Sequence, residues 1–118
     1  MKLKKREVDG VMVVQVEGKM VGGADSEVFH AFVKELIAEG HRKFLINLGK
    51  VPWADSRGIG MLIGAHTSIQ NAEGSLVLTN IGDRIDSILT LTRLLLIFKT
   101  FDSEQEGIQY LTGGEDAS

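Results

Sequence analysis

Leu45-Ile46-Asn47-Leu48-Gly49-Lys50-Val51-Pro52-Trp53-Ala54-Asp55-Ser56-Arg57-Gly58-Ile59-Gly60 passes from an apolar strand through a turn into the start of a helix. With Phe44 before it, the strand places Phe44, Ile46 and Leu48 on one face and Leu45 and Asn47 on the other. Ser56 therefore stands on the turn, at or beside a helix N-terminus, with an acid before it and glycines after it. A hydroxyl there is within reach of another protein. A phosphate added there would meet free backbone N–H groups and the positive end of the helix dipole. The residues alone leave two readings of Ser56 open, a helix N-cap and a phosphoacceptor. Asp55 can cap in its place, which leaves Ser56 at the first helical position with its hydroxyl outward. Gly58, Gly60 and Gly64 each cost a helix about 1 kcal/mol against alanine. Either close packing on the sheet or the approach of a partner's backbone has to offset that.

Outward from this stretch the chain alternates strands and helices. Residues 3–9 and 11–17 read as a hairpin with its turn at Asp9-Gly10. Gly18 to Ala24 is a glycine-rich loop. Asp25 or Ser26 is the expected cap of a helix running to about Glu39, with Gly40 as its left-handed terminator. The second helix runs from the Ser56 turn to about Glu73, ended by Gly74. Leu76 to Thr79 is a fourth strand, and a third helix follows from Asp83 to Thr92. A short last strand is expected near Ile97 to Phe101, and the apolar run Leu94-Leu95-Leu96-Ile97-Phe98 reads as that buried strand and its lead-in. Ser103-Glu104-Gln105-Glu106 has the capping-box pattern for a final helix.

Strands alternating with helices after a hairpin predict an α/β fold, a mostly parallel sheet of about five strands with the helices on one face. Gln15, Glu17, Asn47 and Thr79 interrupt the other face, which argues against equal cover on both sides. The 118 residues suit one domain, expected over 1–112, with 113–118 as a flexible C-terminal tail.

Composition narrows the function classes. The net charge is -3, so bulk electrostatics do not favour nucleic acid. Lys2, Lys4, Lys5 and Arg6 carry no interleaved aromatics and suit a solvated edge strand. The absence of cysteine excludes disulfides, thiol catalysis and cysteine metal sites and fits a reducing compartment. No apolar stretch is long enough to span a bilayer, and a cytoplasmic location is expected. His30, His41 and His66 lack ligand-like spacing. One carboxylate at Asp55 does not make a magnesium site. No metal or cofactor is expected. Asp83, Arg84 and Asp86 read as solvated charges of a helix's first turn. A nucleophilic role for Ser56 would need an activating His or Lys and an elbow motif, and neither is placed by the sequence. The chain is not expected to be an enzyme.

The stretch from Leu45 to Gly60 resembles the strand, loop and Asp-Ser-Ser/Thr-Gly-Leu-Gly helix start of STAS domains, in particular the bacterial anti-sigma-factor antagonists. Leu91-Thr92-Arg93-Leu94 and Phe98 sit where that family has its third helix and last strand, and the resemblance runs from about Lys2 to Leu111. It implies partner switching. The unphosphorylated protein binds an anti-sigma factor that is also a serine kinase of GHKL type. The kinase phosphorylates the serine after the motif aspartate, here Ser56, and a PP2C-type phosphatase resets it. The implied partner surface comprises Met20, Val21, Gly22, Gly23 and Asp25 of the first loop, with Asp55, Ser56, Arg57, Gly58, Gly60 and Met61. Met20 and Val21 are expected to be partly exposed. Neither nucleic acid nor membrane is expected as partner, and the chain is expected to be a monomer or weak dimer. Arg57 departs from the family's hydroxyl residue. It keeps a second reading in play, a non-switching STAS scaffold or accessory subunit of a signalling or lipid-transport complex.

Overall fold

The computed structural model describes residues 1–114. Five strands form one sheet in the order β1-β2-β3-β4-β5: β1 (Lys2–Val8), β2 (Val11–Glu17), β3 (Lys43–Lys50), β4 (Ser75–Thr79) and β5 (Lys99–Phe101). β1 and β2 form the antiparallel hairpin, with Val8 opposite Val11. Asp9 and Gly10 take φ of 52° and 81°, as a two-residue turn matched to the strand twist demands. The other pairings are parallel. The helices are α1 (Ala24–Ala38), α2 (Ser56–Asn71), α3 (Asp83–Leu91) and α4 (Glu104–Gln109).

The main core lies between one sheet face and α1 to α3. Val14, Val16, Phe44, Ile46, Leu48 and Leu78 meet Phe29, Val33, Leu36, Leu62, Ile69 and Leu89 there. The strand alternation predicts this face correctly. The expectation that every helix shares it fails for α4. Val11, Val13, Leu45 and Val77 form a second cluster on the opposite face with Leu111, Ile108 and Tyr110. Among the described residues no crossover strand follows α4, so the handedness rule does not constrain its side. Gly107 permits the approach: a Cβ there would lie 2.8 Å from Leu45 and 2.9 Å from Thr79. Asn47 donates to Glu104 at 2.7 Å, and Arg6 also pairs with Glu104. The polar interruptions of this face are thus partly anchors for α4.

Helix ends follow local rules with two corrections. α1 closes in a Schellman motif: Gly40 (φ 103°) donates to Ile37 and His41 to Leu36. Its N-cap is Gly23, not Asp25 or Ser26, which lie inside the first turn. The chain leaves the loop with Gly22 and Gly23 at positive φ, and the helix begins before either side chain can cap. At the end of α2 the left-handed residue is Glu73 (φ 63°), not Gly74. Gly74 serves by lacking a Cβ, which would sit 2.4 Å from the Arg42 carbonyl oxygen.

The last strand is shorter than expected. Leu94–Leu96 form a 3-10 turn, entered through Arg93 in the left-handed region. Leu95, Leu96 and Ile97 are exposed, Leu96 by 85%, and only Phe98 is buried. The run was expected to be buried throughout, but one edge strand cannot cover five consecutive apolar side chains. Most of the expected tail, residues 115–118, lies outside the described residues.

Candidate functional site

Two loops meet beyond the C-terminal ends of β2 and β3. After a shift in register between Gln15 and Glu17, the chain past β2 stays beside the chain past β3. Gly18 donates to the Lys50 carbonyl at 3.0 Å and Met20 to the Trp53 carbonyl at 3.0 Å. Asp55 donates back to the Met20 carbonyl at 3.3 Å, and Met20 bridges Ala54 in parallel. The first loop and the Ser56 turn therefore form one rigid edge, as parallel sheets present their loops.

Asp55 is the N-cap of α2. Its Oδ1 accepts from the Arg57 N–H at 2.9 Å and the Gly58 N–H at 3.1 Å. Its Oδ2 accepts from the Arg57 guanidinium at 2.9 and 3.2 Å. The Arg57 side chain first, then the Gly58 N–H, holds the Asp55 carboxyl below the usual aspartate range. With Asp55 capping, Ser56 takes the first helical position and is exposed. The expectation that a phosphate would find free N–H groups here narrows to the Ser56 N–H. The donors of Arg57 and Gly58 are taken by Asp55, and Ile59 donates to the Asp55 carbonyl.

The structure divides the other expected site residues. Met20 is fully buried in the main core, not partly exposed. The pairing with Ala54 carries it inward, a tertiary effect that loop composition does not reveal. Val21 and Asp25 are half-buried, Gly22 is buried and Gly23 is exposed. Gly22 packs on Arg57, whose Cβ would lie 2.7 Å from a Cβ at that position. Gly58 is internal packing: an added Cβ would sit 1.9 Å from the Met20 carbonyl oxygen. Gly60 and Gly64 are different, because a Cβ on either meets nothing within 4 Å. With Ser26, Phe29, His30, Arg57 and the largely buried Met61, they line an open groove of ≈ 220 Å³ between α1 and α2.

A second groove, of ≈ 420 Å³, opens between α2 and α3. Asp55 and Ser56 border it, with Ile59 and Ile63 of α2, Arg84, Ile88 and Thr92 of the α3 side, and Leu94. Sequence reading passed over it. Ser56, Ile59 and Ile63 share one helical stripe, and so do Arg84, Ile88 and Thr92. Pairing those stripes would have exposed the groove. Arg84 is exposed, as expected of a first-turn charge, and its guanidinium carbon also lies 3.6 Å from the centroid of the Trp53 ring. Among the described residues no cluster of His, Cys, Asp or Glu could hold a metal ion, and no helix is long and apolar enough to cross a membrane.

Residues 2–107 match the STAS domain model. The chain belongs to the STAS family. This STAS domain is 27% identical over 107 residues to the anti-sigma-B factor antagonist of Listeria monocytogenes, covering 89% of this chain and 92% of that one. The crystal structure of TM1081 from Thermotoga maritima superposes on it with a TM-score of 0.85 at 22% identity, covering 92% and 93% of the two chains. The anti-sigma factor antagonist SpoIIAA, solved in its unphosphorylated form, gives a TM-score of 0.72 at 19% identity over 95% and 99%. The Bacillus SpoIIAA structure in the phosphorylated form gives 0.71 at 17% over 92% and 98%. The two solved proteins share its fold.

Proposed function

We propose that this STAS domain is an anti-sigma-factor antagonist whose binding is gated by phosphorylation of Ser56. Unmodified, it binds an anti-sigma factor that is also a GHKL-type serine kinase, and so frees a sigma factor. Phosphorylation releases it, and a PP2C-type phosphatase restores it. The chain acts by binding and not by catalysis, in the cytoplasm. The observation that carries this reading is the position of Ser56. It is exposed at the first helical position, its neighbour Asp55 does the capping, and grooves open on either side of α2 beside it. The relatives named as anti-sigma factor antagonists support the same role.

A phosphate brings about −1.5 to −2 charges. In a close interface without a cationic pocket, desolvating it costs several kcal/mol. The fold itself has little reason to change, because the residue is exposed and the cap is already made. The test is capture with the Ser56→Ala chain, then incubation of the retained kinase with ATP and wild-type chain. Phosphopeptide mapping should place the label on Ser56. Label at stoichiometry on Ser26, Ser68, Ser75, Ser87 or Ser103, with Ser56 unmodified, would overturn the reading.

A further inference from the structure

We propose that Arg84 is the internal hydrogen-bond donor to a phosphate on Ser56, and that the two together close the groove between α2 and α3. The proposal rests on Ser56 being the phosphoacceptor. The two residues border the same groove, whose apolar lining includes Ile59, Ile63, Ile88 and Leu94. A phosphate at Ser56 needs donors, and of its neighbours those of Arg57 and Gly58 are committed, which leaves the Ser56 N–H alone on the turn. The N–H groups of Arg57 and Gly58 serve the Asp55 carboxylate, and the Arg57 guanidinium also engages that carboxylate. Asp55 itself repels a second anion. Arg84 is the uncommitted cation of the groove: among the described residues it has no carboxylate within ion-pair distance.

Trp53 keeps Arg84 at hand. The guanidinium lies over the indole face at 3.6 Å, and Trp53 precedes Ser56 by three residues on the same turn. Stacking on an aromatic face holds the guanidinium plane and leaves its edge N–H groups free. Those edges match phosphate oxygens two at a time. Once paired, phosphate and guanidinium form a charged cover over an apolar groove. A partner side chain could enter only by separating them. The block is then built inside this chain, in addition to any clash with the partner.

The experiment uses the full chain with phosphoserine placed at position 56 during translation. No kinase is needed, so failure here is distinct from failure of the phosphorylation reading. Phosphorus NMR follows the second ionisation of the phosphate, ordinarily near pH ~6, in wild type, Arg84→Gln and Arg57→Gln chains. The second pKa should be lower by about 0.5 or more in wild type than in Arg84→Gln, with a smaller effect from Arg57→Gln. A difference below that from Arg84→Gln, or an equal or larger effect from Arg57→Gln, would overturn the proposal. Arg84 is exposed, and Arg84→Lys, which keeps the charge without the fork, is the second variant. It should recover part of the lowering, and a value no different from Arg84→Gln would also count against the clamp.

Discussion

Asp55 organises the turn by giving both carboxylate oxygens to the first two residues after Ser56. Its folded-state pKa is depressed by the Arg57 and Gly58 hydrogen bonds. The unfolded chain therefore binds the proton more readily. The stabilisation is present above the ordinary aspartate value of 3.8 and is lost as pH falls through the lower folded value. Thermal melts across pH should show wild type above Asp55→Ala at pH 7, with the gap closing only well into acid. A gap that closes between pH 7 and 5 would contradict this. Met20 belongs to the core at 0% exposure. Met20→Ala should cost about 2–5 kcal/mol, measured by urea unfolding, and Met20→Asp more. A loss below about 0.5 kcal/mol would mean that it faces solvent. The capping role of Asp55 was legible because a cap acts over three residues. The burial of Met20 and the Arg84–Trp53 stack were not, because each joins segments that only the folded sheet brings together.

At the scale of the element, α2 separates the two accounts of its glycines. Gly58 is there for the fold, and Gly58→Ala should destabilise by about 1–3 kcal/mol through overpacking against the Met20 carbonyl. Gly60→Ala meets open space. It should stabilise the isolated domain by about 0.5–1 kcal/mol through helix propensity, while weakening the complex if the α1–α2 groove receives the partner. Chemical denaturation gives the first quantity and calorimetry the second. Destabilisation by Gly60→Ala would place that glycine in the packing after all. The element order was readable throughout, since strands alternate at period two and helices carry apolar stripes. The run from Leu94 to Phe98 misled because apolar composition alone does not distinguish a strand from an exposed 3-10 turn. Leu96→Lys should accordingly change stability by less than about 0.5 kcal/mol. A larger loss would show that the turn is packed.

At the scale of the whole molecule, a sheet with its main core on one face holds two loops rigidly at one edge. The parallel order followed from the sequence. The cover of the second face by α4 did not, because nothing in the alternation of elements assigns a side to a terminal helix. A switch on such a frame works by local charge and cover, without refolding. Core packing around Met20, Leu62 and Leu48 leaves little room for a second arrangement. The most direct measurement is a calorimetric titration of the anti-sigma partner with the unmodified chain and with the phosphoserine-56 chain. Backbone NMR spectra of the two free forms accompany it. Affinity should fall by at least about 100-fold, at 1.4 kcal/mol per tenfold, with shift changes confined to the residues around Ser56, Trp53 and Arg84. Equal affinity, or shifts spread across the sheet, would contradict the account.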